Sequence, residues 1–288
     1  MGRYELSGAT VVVTGASSGI GRAIAGKLLR EYDCRVIGVG RNEEKFRGFS
    51  GTLGKAAERF SWQLFDVGDR AEWETFVRTL SENQIVPDLV INCAGVLPAF
   101  SAYEKGGAEN TVKTNFFSAV YALETLTPLL RQSGRPKMIN IGSSSSLCPF
   151  AGVAAYCASK AALQRFSECV SMENGIPVSV FMPGFTDTDV FRSQTFDEGT
   201  KGFFRKFSMS ADRMAEKIVK AIKKGSRRKI FGADARLMDW GYRLFPRLTP
   251  RLITKILRRA NRRCSAGFPD KKSGTSGKII GDFRHCGR

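Results

Sequence analysis

Histidine is almost missing from this chain of 288 residues: His285, near the C-terminus, is the only one. That scarcity excludes Ser-His-Asp catalysis and histidine-rich metal sites, so no metal is expected. Any acid–base chemistry must be built without imidazole. Cysteine is modest and unpaired in pattern: seven residues, an odd number, with no Cys-x-x-Cys. This argues against a disulfide frame and fits a reducing, cytoplasmic setting. No apolar run approaches the roughly 18–20 residues of a membrane span. Met1-Gly2-Arg3-Tyr4-Glu5 lacks the core of a signal peptide. There is no internal repeat. Acidic residues are scarce in one region only. Residues 201–288 hold 25 Lys+Arg and 6 Asp+Glu, a net of +19, whereas residues 1–200 carry a net of −1.

What the chain has is alternation. Short apolar runs at 9–13, 35–39, 60–65, 88–91, 137–141 and 177–181 alternate with helical stretches. That pattern predicts an α/β protein: one Rossmann-type, doubly wound parallel sheet with helices on both faces. The length suits one such domain with additions. The expected organisation is a catalytic domain over 1–235, a basic helical extension over 236–263, and a flexible tail over 264–288 rich in Gly, Ser and Lys.

The first strand, Ala9-Thr10-Val11-Val12-Val13, runs into Thr14-Gly15-Ala16-Ser17-Ser18-Gly19-Ile20-Gly21. Ile24, Ala25, Leu28 and Leu29 follow at helical spacing. Strand, glycine turn and helix start make a phosphate cradle. Glycine lets the backbone approach a pyrophosphate, and the helix N-terminus offers free N–H groups and a positive dipole end.

Tyr156-Cys157-Ala158-Ser159-Lys160 puts a tyrosine and a lysine on one helical face. A neighbouring ammonium is expected to lower the phenol pKa and make it an acid/base for an alcohol or ketone. Ser143 lies thirteen positions upstream of Tyr156. Tyr-x-x-x-Lys alone is weak; its value comes from the glycine turn that precedes it.

Together these motifs resemble the short-chain dehydrogenase/reductase family, in its classical branch, over roughly residues 5–235. Thr14–Gly21 resembles the family's cofactor turn, with Gly15, Ser17, Ser18, Gly19, Ile20 and Gly21 as cofactor contacts. Asp66-Val67 resembles the pair that contacts adenine. Asn92-Cys93-Ala94-Gly95 resembles the family's Asn-Asn-Ala-Gly, with Asn92, Ala94 and Gly95 at the cofactor and Cys93 in place of the second Asn. That exchange puts a local backbone brace in question. Asn115 matches the helix asparagine that holds a proton-relay water, and Ser143 the substrate-orienting serine. Pro183-Gly184-Phe185-Thr186-Asp187-Thr188 matches the segment beside the nicotinamide, through Pro183, Gly184, Thr186 and Thr188. The resemblance implies hydride transfer between a nicotinamide and a carbonyl carbon, with Asn115, Ser143, Tyr156 and Lys160 as the catalytic set. Tyr156 and Lys160 also touch the cofactor. It further implies a homodimer or homotetramer, joined through the helices that carry Asn115 and Tyr156.

The second strand ends at Gly40-Arg41. An NAD enzyme typically places a carboxylate there for the ribose 2′-hydroxyl. An arginine instead suits a 2′-phosphate, so NADP(H) is the expected cofactor and Arg41 its contact. The resemblance places a substrate lid at about 186–210, which holds Phe191, Phe203 and Phe204. An aromatic lid predicts a lipophilic substrate such as a hydroxysteroid or bile acid; the same side chains would equally suit packing on the domain. Ser143, Ser145 and Tyr156 complete the expected substrate contacts. A 3-oxoacyl thioester is the enzymatic alternative. An NADPH-binding sensor or scaffold is the non-enzymatic one, and the complete catalytic set argues against it.

Thr249-Pro250 reads as an N-cap with proline at the first helical position. Leu252, Ile253, Ile256, Leu257 and Ala260 form an apolar stripe. Arg251, Lys255, Arg258, Arg259 and Arg262 lie largely off it, with Trp240, Tyr242, Leu244, Phe245 and Leu248 leading in. Three occupants suit this stripe: the protein's own domain or a second copy, an anionic membrane surface reached through 249–263, or an acidic carrier protein. Nucleic acid is not expected, since no binding module accompanies the charge.

Overall fold

The structure, a computed structural model, describes residues 2–98, 105–173, 175–188 and 208–260, without the side chains of 257–260. Seven strands form one parallel sheet. In chain order they are β1 (Thr10–Thr14), β2 (Arg35–Gly40), β3 (Phe60–Leu64), β4 (Leu89–Asn92), β5 (Lys137–Ile141), β6 (Val178–Pro183) and β9 (Arg228–Phe231). Their spatial order is β3-β2-β1-β4-β5-β6-β9. The direction of winding reverses between β1 and β4, and that switch point is where an open α/β sheet binds ligands, beyond the C-terminal strand ends. A separate two-residue pair, β7 (Thr186–Asp187) with β8 (Met209–Ser210), lies outside the sheet.

The central strands read as largely apolar runs because both of their faces are covered; β4, β5 and β6 are buried along their whole length. Alternate side chains feed two cores. Val11, Val13, Val36, Leu89 and Ile91 pack with α1 (Gly19–Glu31) and α7 (Ala211–Lys223) on one face. Val12, Ile37, Val39, Val90 and Met138 pack with α3 (Arg70–Glu82) and α5 (Ser118–Leu130) on the other. Trp73 of α3 is fully buried, and its indole Nε1 donates to the Val67 carbonyl at 2.9 Å. This bond ties the loop after β3 to the second core.

The remaining helices are α2 (Glu43–Gly51), α4 (Gly107–Val112), α6 (Ala154–Val170), α8 (Ala233–Leu244) and α9 (Thr249–Ala260). A π-helical turn, Lys113–Phe117, joins α4 to α5. The six expected strands appear within one or two residues of their anticipated ends. The seventh, β9, was not anticipated: Arg228 and Lys229 are exposed, and charge at a sheet edge masks the strand pattern while blunting unwanted pairing. Thr249 is the first residue of α9 rather than its cap, with its N–H on the Phe245 carbonyl at 3.0 Å.

Candidate active site

The cradle begins where β1 ends. Gly15 and Gly19 take positive φ, +69° and +53°. A Cβ on Gly15 would sit 2.9 Å from the Ala94 backbone, and one on Gly21 only 2.4 Å from the Gly15 carbonyl oxygen. Only glycine fits this turn, which brings β1, α1 and the loop after β4 into contact. The N-termini of three other helices are satisfied from within. Asn42 caps α2, Asp69 caps α3 and Ser210 caps α7, and each of these helices has acidic residues in its first turn. At α1 the N-cap residue Ser18 makes no capping hydrogen bond and the first turn has no acid. Its N–H groups and dipole therefore remain available to an anion.

A channel of about 130 Å³ runs from this turn past Cys93, Ala94 and Gly95 to Ser143, Tyr156 and Lys160, bounded by Pro183, Gly184, Thr186 and Thr188. Ser143 stands just beyond β5; its hydroxyl accepts from the Ser145 N–H at 3.2 Å and is hydrogen bonded to the Tyr156 phenol. Tyr156 and Lys160 project from the same side of α6. The Lys160 ammonium donates to the Ile141 carbonyl at 2.9 Å and lies 6.0 Å from the centre of the Tyr156 ring.

Burial governs the ionisation of this group. Desolvation pushes the Tyr156 phenol up to about 12, with the Ser143 hydrogen bond pulling in the opposite direction. Desolvation lowers Lys160 to about 8. The phenol is thus raised where a depression by Lys160 was expected: loss of water outweighs the Ser143 hydrogen bond. The pair is poised with the phenol protonated and the lysine close to its titration at neutral pH. Burial also pushes the Cys93 thiol up to about 12, so it is inert there.

Asn115 sits in the π-helical turn, a distortion common at functional sites. Its Oδ1 accepts from the Val96 N–H at 2.8 Å, and its Nδ2 donates to the Val96 carbonyl at 2.9 Å and to Ser159 Oγ at 3.0 Å. Ser159 in turn donates to the Tyr156 carbonyl at 2.8 Å. Both amide hydrogens are spent, so the Asn115 side chain clamps the loop after β4 onto α6. It does not line the channel.

The expected cofactor residues divide. Gly15, Ser18, Gly19, Ile20, Gly21, Ala94, Gly95, Tyr156, Lys160, Pro183, Gly184, Thr186 and Thr188 line the channel. Ser17, Arg41 and Asp66 gather at the end of β2. A Cβ on Gly40 would lie 3.5 Å from Ser17 Oγ, and Arg41 pairs with Asp66 at 3.3 Å with both side chains largely exposed. Val67 is buried, held through Trp73. Asn92 is buried and donates to Asn140 Oδ1 at 2.8 Å, and Asn140 donates to Ser167 Oγ at 2.8 Å. This polar thread pins β4 and β5 to α6.

Three residues that support the site were not anticipated. Thr14 Oγ1 accepts from both the Cys93 and Ala94 N–H groups at 3.0 Å. It supplies the brace that the exchange at Cys93 had put in question. Asn140 is the second. Asp234, at the start of α8, accepts from the Phe185 N–H at 2.6 Å and fills the space beside Gly184 and Gly232. Thr14 stands at the mouth of the glycine turn, but its partners lie 79 and 80 residues away, beyond any local pattern.

The substrate side differs from expectation at Ser145. Its hydroxyl is buried, and the residue lines a separate groove of about 1110 Å³ between α6 and α9, with Phe150, Cys157, Tyr242, Arg251 and Lys255. Ser145 lies in a 3₁₀ turn over Ser144–Ser146 and is not among the residues lining the Ser143–Tyr156 channel. Phe191, Phe203 and Phe204 lie outside the described residues.

Residues 9–199 match the short chain dehydrogenase family, and the chain belongs to this family of oxidoreductases. An NADPH-dependent pterin aldehyde reductase from Arabidopsis thaliana is 31% identical over 189 residues, 64% of this chain and 77% of the relative. A 3beta-hydroxysteroid dehydrogenase from Mediterraneibacter gnavus is 27% identical over 207 residues, 70% and 74% of the two chains. A benzil reductase ((S)-benzoin forming) from Saccharomyces cerevisiae is 29% identical over 195 residues, 64% and 73%. Among solved structures, a short-chain dehydrogenase from Streptomyces avermitilis superposes with a TM-score of 0.71 at 26% identity, covering 88% of this chain and all of that one. Among the described residues no helix is long and apolar enough to cross a membrane, and no cluster of His, Cys, Asp and Glu could hold a metal.

Proposed function

We propose that the protein is an NADP(H)-dependent oxidoreductase that interconverts a secondary alcohol and a ketone on a lipophilic substrate. The observation that carries this reading is the convergence of Ser143, Tyr156 and Lys160 on one channel that continues to the glycine turn. The turn, the uncapped α1 and the bare backbone at Gly95 fit a dinucleotide, whose nicotinamide would supply or take up the hydride.

The chain's own residues handle the oxygen and its proton. Ser143 orients the substrate oxygen by hydrogen bonding. Tyr156, protonated at neutral pH, donates its proton to that oxygen as a ketone becomes an alcohol, and takes it back in the reverse direction. Lys160 restores the proton on the tyrosine side and reaches the cofactor ribose. Asn115 holds the loop after β4 against α6, so that Gly95 stays close to Lys160.

For the cofactor, Gly40-Arg41 supports NADP(H): no carboxylate stands at the end of β2, and Arg41 is exposed there. The NADPH dependence of the pterin aldehyde reductase relative is consistent with it. For the substrate, the hydroxysteroid dehydrogenase and benzil reductase relatives support a ring-bearing ketone. The test is NADPH oxidation by the purified protein with a panel of 3-ketosteroids and, in parallel, a 3-oxoacyl thioester. Turnover of the steroids is expected. Turnover of the thioester alone would move the reading to fatty-acid chemistry. Tyr156→Phe is expected to abolish turnover and keep NADPH binding nearly intact; an active variant would overturn the assignment of the tyrosine.

A further inference from the structure

The exposed apolar surface of this protein is gathered in one place. Of the ten large hydrophobic residues exposed among the described ones, seven fall between 237 and 256. Leu237, Trp240 and Leu244 follow one another on a face of α8, opposite the buried Ala235 and Met238. The chain turns at Phe245, and Leu248, Leu252 and Ile256 continue at four-residue spacing along α9. From Trp240 to Ile256 these side chains keep 41–70% of their surface exposed. Leu252 and Ile256 of the α9 stripe therefore stay open to solvent, while Ile253 between them is half-buried. That helix is held instead by its other side, where Thr254 Oγ1 accepts from the Ala151 N–H at 3.2 Å.

The flanks of this strip are basic. Arg236, Arg243, Arg247, Arg251 and Lys255 are all exposed beside it. The two carboxylates of α8 are already committed, Asp239 to Arg243 at 3.0 Å and Asp234 to the Phe185 N–H. No other acidic residue occurs between 233 and 260. An apolar ridge with an exposed tryptophan, basic shoulders and no free carboxylate is the make-up of a segment that lies in a bilayer interface. A second copy docked face to face would set Arg247, Arg251 and Lys255 against their own equivalents with no acid to answer them. An acidic protein would answer the arginines but would need an apolar recess for each ridge residue. An anionic lipid surface meets both demands at once, and the excess charge of the whole C-terminal third, +19 over residues 201–288, points the same way.

We propose that α8 and α9 dock the protein on an anionic lipid bilayer, with Trp240, Leu244, Leu248 and Leu252 entering the interface and the flanking arginines on the headgroups. The test uses the full chain and vesicles of phosphatidylcholine with phosphatidylserine, the acyl chains of one set being brominated. The protein is expected to sediment with anionic vesicles at low salt and to lose tryptophan fluorescence on the brominated ones. Trp62 is half-buried and Trp73 fully buried, so the quenching belongs to Trp240. Trp240→Phe should abolish it and still sediment. Leu244→Asp with Leu248→Asp, basic tail intact, should weaken vesicle binding at least about tenfold with an unchanged melting temperature. Arg247→Gln with Arg251→Gln should weaken it about tenfold on anionic vesicles. Failure to sediment overturns the proposal. So does sedimentation without quenching, which would mean the tail alone makes the contact, and so does capture only by an acidic protein. A wild-type dimer that ignores vesicles and falls apart on Leu248→Asp would make the strip a self-interface and overturn it as well.

Discussion

Tyr156 and Lys160 show how a buried pair sets its own working range. The phenol is held near 12 and the ammonium near 8, so the tyrosine stays protonated across the accessible range and the lysine is the group that titrates. Ketone reduction needs a proton delivered through the pair, and alcohol oxidation needs one removed. The rate of reduction is therefore expected to fall, and that of oxidation to rise, as pH passes through about 8. Initial rates in both directions between neutral and alkaline pH check this; parallel profiles would exclude Lys160 as the titrating group. The same shift has a stability consequence. The ordinary lysine value is 10.5, so between about 8 and 10.5 the unfolded chain binds the proton that the folded chain has lost. Stability contributed by this site therefore rises with pH through that window, at about 1.4 kcal/mol per pH unit. Below it the folded protein bears the full cost of burying the ammonium. Lys160→Met should be inactive, and its melting temperature relative to the wild type should be most favourable below pH 8 and lose that advantage towards pH 10. A gap independent of pH would mean that the ammonium is not desolvated.

The elements that carry the site differ in what can be substituted. Gly21 lies in the first turn of α1, and a Cβ there meets the Gly15 carbonyl oxygen at 2.4 Å, a backbone atom that cannot swing aside. Gly21→Ala is expected to weaken NADPH binding by at least about tenfold, because the helix start must move off the phosphate position; fluorescence titration of NADPH measures it. Asp234 joins α8 to the turn after β6. Asp234→Ala leaves the Phe185 N–H without its acceptor and should cost about 1–3 kcal/mol in denaturant unfolding and weaken the cofactor. Asp234→Asn keeps an acceptor oxygen and should restore both; if it does not, the charge rather than the hydrogen bond holds the turn. These contrasts explain what was legible in the sequence. The glycine turn and the Ser143–Tyr156–Lys160 spacing are local, and the central strands are largely apolar because both their faces are covered, so each shows as a run or a spacing. Thr14 acts on residues 79 and 80 positions away and Asp234 on one 49 away, and no local pattern encodes such a pairing. β9 was hidden because its edge position fills it with Arg228 and Lys229. The pKa order at Tyr156 was misjudged because burial, unlike charge, is not written in neighbouring letters.

On the scale of the molecule, two surfaces meet at one rim of the sheet. The channel lies at the switch point between β1 and β4, beyond the C-terminal strand ends. α8 leaves the C-terminal end of β9 on the same rim, and its first turn is bonded through Asp234 to the segment beside Gly184. The apolar strip thus begins on an element hydrogen bonded to the segment that borders the channel. If the strip docks on a bilayer, a substrate dissolved in that bilayer reaches the site from a high local concentration, while a water-soluble one gains nothing. Anionic vesicles are therefore expected to lower the apparent KM for a lipophilic ketone severalfold with kcat unchanged, since docking alters supply and not the transition state. A small water-soluble ketone should show no change, and Leu244→Asp with Leu248→Asp should remove the vesicle effect while leaving turnover without vesicles as in the wild type. A fall in KM that survives in that variant would mean that the vesicles act only as a reservoir of substrate, and that the charge and apolar surface of the C-terminal third serve another purpose.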